Sequence, residues 1–388
     1  MRRERFALLA GGGTAGHLQP ALAIAEALVD AGHRRDSIEF VGSTRGQDGQ
    51  TLAGRGFPFT LLPGRGIVRS LRPRDLVANL GAVGGLALAV VRGFGVVIRA
   101  RPRVVVSVGG YASLAATLAA VVMDVPVVLV NVDAVPGAAN RLFGRFARAS
   151  AVGWDGTPLP RSIVTGTPVR PAIAAVRREV ADRRSARAQL GLPEDRPTVA
   201  VFGGSLGARR INQAITGVAD RWKDRDDRSI FHIVGRRDWE PVSDAAGPGP
   251  GSSRAVPGLA LARVPYEERM ALVYSAADVM VCRSGAMTVA ELALAGVPSI
   301  LVPLPGAPGD HQTANAMVLE RAGAAVLMDD ARCDGQALAD ALDSLLADPA
   351  GLEAMGRAAA ALGHRDAAAA GARVVEDHAR PPVREGSP

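Results

Sequence analysis

Two glycine-rich stretches constrain this chain most strongly, because each follows a short apolar run and precedes a helical pattern. The first reads "GGGTAGHLQP" over residues 11–20, and the second reads "VFGGSLGAR" over residues 201–209. Glycines at such a turn let an anionic ligand approach the backbone, where free N–H groups and the positive end of the helix dipole meet it. The sequence therefore predicts two phosphate-binding loops.

The pattern around these loops predicts an α/β protein with two similar halves, because apolar runs typical of buried strands alternate with helical spacing. The expected strands are 6–10, 38–41, 104–108 and 127–130 in the first half, and 198–202, 230–234, 279–282 and 300–302 in the second. We expect two Rossmann-like domains facing across a cleft, with ligands at the carboxyl ends of the strands. The expected boundaries are 1–168 for the first domain, 169–379 for the second and 380–388 for a disordered tail.

Composition narrows the classes of partner. The 388 residues are 48% hydrophobic, which is more than one core usually needs. The net charge is +7, but no nucleic-acid motif or aromatic stacking platform accompanies it, so we expect no nucleic acid. The two cysteines, Cys282 and Cys333, are too few for a disulfide framework and fit a reducing compartment. The histidines lack metal-ligand spacing, so we expect no metal and no cofactor.

One apolar segment raises the question of a membrane. Leu76–Val91 lies between Arg72 and Arg74 on one side and Arg92 on the other. It is short for a spanning helix and contains Asn79 and three glycines. Two interpretations stay open: a buried helix, or a membrane-surface helix whose arginines meet anionic lipid.

The first glycine loop also has the spacing of a dinucleotide site. Gly11, Gly13 and Gly16 satisfy G-x-G-x-x-G between a strand and a helix. Such a site needs an acidic residue at the end of the second strand, but that strand ends in "FVGS" and Glu39 lies inside it. His17 at the helix start is a candidate general base, and a capping or packing role is the alternative.

Two further loops carry polar groups suited to a nucleotide sugar. In "CRSGAMTVAE" at 282–291, Glu291 could accept both hydroxyls of a ribose. The alternative is a capping box, because Thr288 and Glu291 have T-x-x-E spacing. The loop at 303–316 ends in groups that could hydrogen-bond a sugar, namely Asp310, His311, Gln312 and Asn315.

Together these loops resemble the MurG family. The matching motifs, in order, are "GGGTAGHLQPALA", "VGGYAS", "TGTPVRP", "FGGSLGARRIN", "VCRSGAMTVAE" and "DHQTANA". Members of this family transfer N-acetylglucosamine from UDP-N-acetylglucosamine to undecaprenyl-diphosphate-linked muramyl pentapeptide in peptidoglycan synthesis. The resemblance implies the GT-B fold, a donor bound mainly by the second domain, and a peripheral location on the anionic cytoplasmic face of the cell membrane.

The resemblance also implies roles for individual residues. The implied donor contacts are Ser205 and Arg170 for the diphosphate, the backbone at Glu267 for the uracil, Gly285, Ala286, Met287 and Thr288 for nucleotide and phosphate, Glu291 for the ribose, Gln312 and His311 for the sugar, and Thr14, Ala15 and Gly16 from the first domain. The implied acceptor pocket is formed by the first loop together with Gly109, Gly110 and Tyr111.

The implied chemistry is a direct displacement at the anomeric carbon with inversion. His17 would take the proton of the muramyl 4-hydroxyl. Arg170 and the amino ends of helices would stabilise the charge that develops on the leaving UDP, without a metal.

The sequence departs from the family in three places. Ala15 replaces a usual glycine, and Asp48 replaces a usual glutamate. The family's "HEQN" is "VNVD" at 130–133, so Asn131 stands where a glutamate is expected and Asp133 where an asparagine contacts the donor side. An asparagine cannot act as a base, so His17 suffices, or Asp133 supplies the carboxylate, or the acceptor differs.

Two other functions stay open on these grounds. One keeps the fold but changes the reaction, as a glycosyltransferase with another acceptor or a nucleotide-sugar epimerase. The other is a non-catalytic binder of UDP-sugar or lipid.

Overall fold

A computed structural model describes residues 4–12, 15–44, 48–63, 73–204, 207–239 and 258–382. The chain divides into two compact units. Unit 1 comprises residues 1–169 together with 366–388, and unit 2 comprises residues 170–365. Each unit contains a parallel sheet covered by helices, which confirms the expected pair of Rossmann-like α/β domains.

Unit 1 is built on a sheet of seven parallel strands. The strands are β1 (Ala7–Gly11), β2 (Ile38–Ser43), β3 (Phe59–Leu62), β4 (Val104–Gly109), β5 (Val127–Asn131), β6 (Ala149–Val152) and β7 (Ser162–Val164). The first helices of the chain are α1 (Ala15–Asp30), α2 (Asp48–Ala53), α3 (Pro73–Ala100), α4 (Tyr111–Val122) and α5 (Ala138–Phe143). The strand order is β3-β2-β1-β4-β5-β6-β7.

Unit 2 repeats this plan with six parallel strands in the order β10-β9-β8-β11-β12-β13. The strands are β8 (Thr198–Phe202), β9 (Ser229–Ile233), β10 (Ala260–Val264), β11 (Val279–Cys282), β12 (Ser299–Leu301) and β13 (Ala325–Leu327). Its helices are α6 (Pro171–Ala174), α7 (Val180–Gln189), α8 (Arg209–Arg221), α9 (Met270–Ala276), α10 (Ala286–Ala295), α11 (His311–Arg321), α12 (Gly335–Leu346) and α13 (Pro349–Ala361).

The central strands are buried along their whole length because helices cover both faces of each sheet. Every residue of β1, β4, β8 and β11 is buried. The core is made mainly of Val, Leu, Ile and Ala side chains, in a chain with only 4% aromatic residues.

The strand order reverses at the centre of each sheet. In unit 1 the strands β1 and β4 are neighbours, and in unit 2 the strands β8 and β11 are neighbours. Where the order reverses, the loops leave the carboxyl ends of adjacent strands in opposite directions and open a crevice for a ligand. The loops at these two points are β1–α1 and β4–α4 in unit 1, and β8–α8 and β11–α10 in unit 2.

The last helix, α14 (Ala367–His378), belongs to unit 1 and not to the second domain where we expected it. Its buried face packs on α1, and a Cβ on Gly371 would lie 3.2 Å from Ile24 Cδ1. The Glu376 carboxylate lies 2.9 Å from His33 Nε2. Tertiary packing therefore places this helix, whatever its position in the sequence.

The expected disordered tail divides at residue 383. Residues 383–388 lie outside the described part of the chain. Arg380 is described: its backbone N–H donates to Arg103 O at 3.0 Å, and its guanidinium pairs with Asp124.

Candidate active site

In unit 1 the two loops at the strand reversal pack against each other around His17, the third residue of α1. A Cβ on Gly109 would lie 3.3 Å from His17 Nε2, and a Cβ on Gly110 would lie 3.2 Å from Nδ1. The Gly110 Cβ would also come within 2.6 Å of Gly12 O. Both glycines have positive φ, +98° and +83°. Only glycine allows this approach, so the structure brings His17, Gly109 and Gly110 together.

The remaining predicted residues of this site are described in part. Thr14 lies outside the described residues. Ala15 begins α1, Gly16 follows it half-buried, and Tyr111 begins α4. Their backbones therefore line the same pair of loops as His17.

Asp48 packs against the first glycine loop and hydrogen-bonds the end of β2. Its carboxylate is buried, and Oδ2 accepts the backbone N–H of Ser43 at 2.9 Å. A Cβ on Gly12 would clash with the same oxygen. Sequence analysis gave Asp48 only as a departure from a family pattern, because Ser43 at the end of β2 and Gly12 after β1 become its neighbours only in the fold.

In unit 2 the helices α8 and α10 begin just after the adjacent strands β8 and β11, where the strand order reverses. The β8–α8 loop closes with a hydrogen bond from Gly207 N–H to Gly204 O at 3.0 Å, while Ser205 lies outside the described residues. Ala208 and Gly285, the N-cap residues of α8 and α10, make no side-chain cap. Backbone N–H groups at these ends can therefore meet an anion.

The capping-box interpretation of Thr288 and Glu291 is wrong. Helix α10 starts at Ala286 with Gly285 as its N-cap, so Thr288 is already the third helical residue. Glu291 lies on the next turn and is free of any capping role.

Glu291 is held from two sides. Its Oε2 accepts the Tyr274 hydroxyl hydrogen at 2.8 Å, and its Oε1 lies 3.5 Å from an Arg170 guanidinium nitrogen. Burial raises the pKa of the Glu291 carboxyl, while Arg170 and the Tyr274 hydroxyl oppose that rise. The structure thus brings Arg170 and Glu291 together, and it adds Tyr274, which our sequence analysis missed.

The loop before α11 forms a connected set of hydrogen bonds. Gln312 Oε1 accepts the Leu304 N–H at 3.0 Å, and its backbone oxygen accepts the Ser284 hydroxyl at 2.8 Å. Asn315 Nδ2 donates to Ser284 O at 3.2 Å. His311 Nδ1 lies 2.8 Å from Pro308 O. Gln312 is therefore tied to the β11–α10 loop, whereas His311 caps its own turn.

Beyond β10, Glu267 and Tyr266 occupy the carboxyl end of the sheet. The Glu267 carboxylate accepts the Arg269 backbone N–H at 2.8 Å and pairs with its guanidinium at 2.9 Å, which lowers the pKa of Glu267. The exposed Tyr266 ring has the Arg236 guanidinium 4.2 Å from its centre. Sequence analysis missed this pair, although a Tyr next to Glu267 was a usable signal.

A buried imidazole lies behind the β8–α8 loop. His232 on β9 is 1% exposed, and its Nε2 lies 2.9 Å from Asn212 Oδ1. Asn212 Nδ2 donates to Val234 O at 3.0 Å and to Asp238 Oδ2 at 3.3 Å, so Nε2 of His232 carries the proton. A Cβ on Gly207 would lie 2.5 Å from Val234 O and 2.9 Å from Asp238 Oδ2. The His232–Asn212 pair therefore supports the surroundings of the glycine loop.

This imidazole should make stability depend on pH. Burial lowers the pKa of His232 to about 3, whereas an unfolded histidine titrates near pH 6.5. The neutral ring thus stabilises the fold fully above pH 6.5, and this stability is lost as the pH falls from there toward 3. We expect His232→Gln, which keeps an N–H donor without titrating, to make the unfolding free energy fall less steeply, by up to about 1.4 kcal/mol per pH unit. Urea unfolding at pH 7, 5.5 and 4.5 measures this, and parallel curves for both proteins would contradict it.

Comparison with known proteins shows which protein family the chain resembles. The model of the glycosyltransferase family 28 N-terminal domain matches residues 7–152, and that of the C-terminal domain matches residues 198–370. The chain is 39% identical over 363 residues to a Desulforudis audaxviator protein named "UDP-N-acetylglucosamine--N-acetylmuramyl-(pentapeptide) pyrophosphoryl-undecaprenol N-acetylglucosamine transferase", covering 92% of this chain and 94% of that one. A Nocardioides protein of the same name is 40% identical over 372 residues, covering 95% and 96%.

The chain belongs to the MurG family of glycosyltransferases. Among solved structures, Acinetobacter baumannii MurG aligns with a TM-score of 0.72 at 26% identity, over 97% of this chain and 99% of that one. The UDP-N-acetylglucosamine 2-epimerase of Neisseria meningitidis aligns with a TM-score of 0.61 at 13% identity, over 97% and 99%, which shows a shared fold alone.

The departure from the MurG-family pattern at 130–133 has a structural use. Asn131 at the end of β5 is buried, and its Nδ2 donates to Asp133 O at 2.6 Å. Asn140 Nδ2 donates to Val130 O at 3.1 Å and to Asn131 Oδ1 at 3.2 Å. Asn131 therefore shapes the loop that carries the half-buried Asp133.

Proposed function

We propose that the chain transfers N-acetylglucosamine from UDP-N-acetylglucosamine to the muramyl 4-hydroxyl of undecaprenyl-diphosphate-linked muramyl pentapeptide, with inversion. The observation that carries this proposal is the 39–40% identity, over more than nine-tenths of the chain, to transferases named for this reaction. The likeness to 2-epimerases is one of fold alone.

In unit 1, His17 is the proposed general base. Its imidazole takes the proton of the acceptor hydroxyl as the hydroxyl oxygen attacks the anomeric carbon. Gly109, Gly110 and the backbone at Tyr111 hold the acceptor diphosphate beside it, with Thr14, Ala15 and Gly16 on the other loop. The close packing of Gly109 and Gly110 on the ring supports this assignment, because it fixes the position of the imidazole between the two loops.

In unit 2, the proposed donor contacts follow the carboxyl ends of the strands. Ser205, Arg170, Gly285, Ala286, Met287 and Thr288 take the diphosphate and nucleotide, Glu291 the ribose, Gln312 the sugar, and Asp133 of unit 1 the donor side. As the bond from the anomeric carbon to UDP breaks, the uncapped ends of α8 and α10 and the Arg170 charge stabilise the leaving diphosphate. The exposed Tyr266 ring, beside the backbone at Glu267, offers a face for the uracil.

An activity assay tests this function. Purified protein with labelled UDP-N-acetylglucosamine and a lipid-linked muramyl acceptor is expected to give labelled lipid product. No transfer would contradict the proposal. An epimerised sugar nucleotide formed without acceptor would favour an epimerase, and UDP binding without any turnover would favour a non-catalytic binder.

We also propose that unit 1 binds the anionic cytoplasmic face of the cell membrane, because the proposed acceptor carries a lipid. The segment at 76–91 is part of α3, which packs on α4 with Ala89 and Gly93 buried. Its opposite face exposes Leu88 (45%), Val91 (68%) and Ile98 (52%).

Arginines accompany this apolar face. Arg92 is exposed on α3, whereas Arg99 pairs with the buried Glu39 carboxylate at 2.9 Å. Arg72 lies outside the described residues, and only the backbone of Arg74 is described. Near the end of α4 a pocket of about 460 Å³ is lined by three arginines, one carboxylate and an exposed aromatic ring, namely Arg145, Arg148, Arg161, Asp124 and Phe146. Apolar side chains next to cations suit a peripheral contact with anionic lipid. None of the described helices has the length and apolar character needed to cross a membrane.

Charge reversal on this face should release the protein from vesicles. We expect Val91→Glu combined with Arg92→Glu to weaken co-sedimentation with phosphatidylglycerol vesicles by about tenfold or more, because an apolar contact is lost and a cation becomes an anion. Val180→Glu combined with Arg184→Glu is the matched control, since it makes the same change of charge at an exposed valine (64%) and an exposed arginine of unit 2. Unchanged binding of the double variant would reject this surface.

A further inference from the structure

The Glu291 carboxylate is bound from inside the core by a tyrosine. Tyr274 on α9 is completely buried, and its hydroxyl donates to Glu291 Oε2 at 2.8 Å. Its ring lies edge-on to Phe202, the last residue of β8, with ring centres 6.5 Å apart and planes at 85°. The surrounding core therefore fixes the position of the hydroxyl.

This contact determines which way the carboxylate faces. Glu291 is 8% exposed, and its other oxygen lies 3.5 Å from the Arg170 guanidinium. A carboxylate has two oxygens with two lone pairs each, so one hydrogen bond from Tyr274 leaves acceptor sites on both oxygens. The carboxylate cannot rotate away from this orientation without leaving the buried Tyr274 hydroxyl unsatisfied, which is costly.

A carboxylate held in one orientation can distinguish two hydroxyls from one. The vicinal hydroxyls of a ribose donate a pair of hydrogen bonds with fixed separation, whereas a 2′-deoxyribose can donate only one. A hydrogen bond to a charged group contributes about 10- to 100-fold to binding affinity. The preference for a ribonucleotide should therefore depend on how firmly the carboxylate is oriented.

We propose that Tyr274 is a positioning residue which, through its hydroxyl, orients Glu291 to select a ribonucleotide over a 2′-deoxyribonucleotide. This inference rests on the proposed function, in which Glu291 receives the donor ribose. Tyr274 itself touches no substrate and acts only through Glu291.

The test compares the dissociation constants of UDP and 2′-deoxy-UDP for the full-length protein, measured by calorimetry. The wild type is expected to prefer UDP by about 10- to 100-fold, and Glu291→Gln should lose most of that preference. Tyr274→Phe keeps the ring and removes the hydroxyl, so we expect the preference to fall by about tenfold, with little change in 2′-deoxy-UDP affinity. A loss of folded protein affects both ligands equally and cancels in the ratio.

Ser275→Ala is the matched control. It removes a buried hydroxyl from the same helix, one that donates to Arg177 O at 2.9 Å and not to Glu291. This variant should keep the wild-type preference.

The possible results distinguish a failure of this inference from a failure of the proposed ribose-binding role of Glu291. A wild type that binds UDP and 2′-deoxy-UDP equally would overturn the ribose role of Glu291 and the inference together. A wild-type preference that Tyr274→Phe retains, or that Ser275→Ala loses to the same extent, would overturn the inference and leave the ribose role standing.

Discussion

Replacing His17 by alanine is expected to lower kcat by roughly 10²- to 10⁴-fold while UDP-N-acetylglucosamine affinity stays nearly unchanged. In the proposed mechanism the imidazole acts on the acceptor hydroxyl, whereas the proposed donor contacts are mostly residues of unit 2. Steady-state kinetics with saturating acceptor measure kcat, and calorimetry with UDP measures nucleotide binding.

His33→Gln is the matched control, because His33 follows the far end of α1, stacks on Phe6 with ring centres 3.7 Å apart and contacts Glu376. It should leave kcat within about twofold, because His33 lies beyond the opposite end of α1 from His17 and the glycine loops. Near-normal kcat in His17→Ala would remove the base assignment, and His17 would then be a packing residue.

Adding a single methyl group at Gly110 is expected to reduce kcat/KM by roughly 10²-fold or more. The new Cβ would lie 2.6 Å from Gly12 O and 3.2 Å from His17 Nδ1, so the loop, the ring or both must move. A displacement of about 1 Å from a productive geometry can cost about 10²-fold in rate. Kinetics of Gly110→Ala measure the effect, with thermal unfolding to show that the protein remains folded.

Gly32→Ala separates crowding from backbone strain. Gly32 has φ +101°, but a Cβ there would meet nothing within 4 Å. The substitution should cost about 1–2 kcal/mol of stability from the left-handed conformation and leave activity normal. Equal losses of activity in both glycine variants would show that backbone strain, and not contact with His17, causes the loss of activity in Gly110→Ala.

The central strands could be predicted from the sequence because they are buried on both faces and read as continuous apolar runs. Edge strands lack this signal. The edge strands β3, β7, β10 and β13 are partly or fully exposed, and none of them was predicted. The buried strand β6 was also missed, because its four residues, ASAV, include a serine and two alanines and do not read as a strong apolar run. The packing of α14 on α1 depends on contacts between the two ends of the chain, which no local pattern encodes.

The site divides in the same way. Glycine loops and the start of α1 follow from short-range patterns, so His17 could be placed beside a loop from sequence. Three residues could not be found in this way, because each contacts its partner only in the folded chain. They are Tyr274, which contacts Glu291, Asp48, which lies against Gly12, and Asn212, which contacts His232. The capping-box prediction failed because spacing alone does not say where a helix begins.

The return of α14 has a consequence for biosynthesis. Because α14 is part of unit 1, the amino-terminal part of this unit leaves the ribosome first yet cannot complete its packing until α14 has also emerged. Unit 2 is one uninterrupted stretch, 170–365, and can fold as soon as it is exposed. A premature stop codon after residue 365 should therefore leave the later-synthesised half intact and expose the α1 surface of the earlier one to chaperones and proteases.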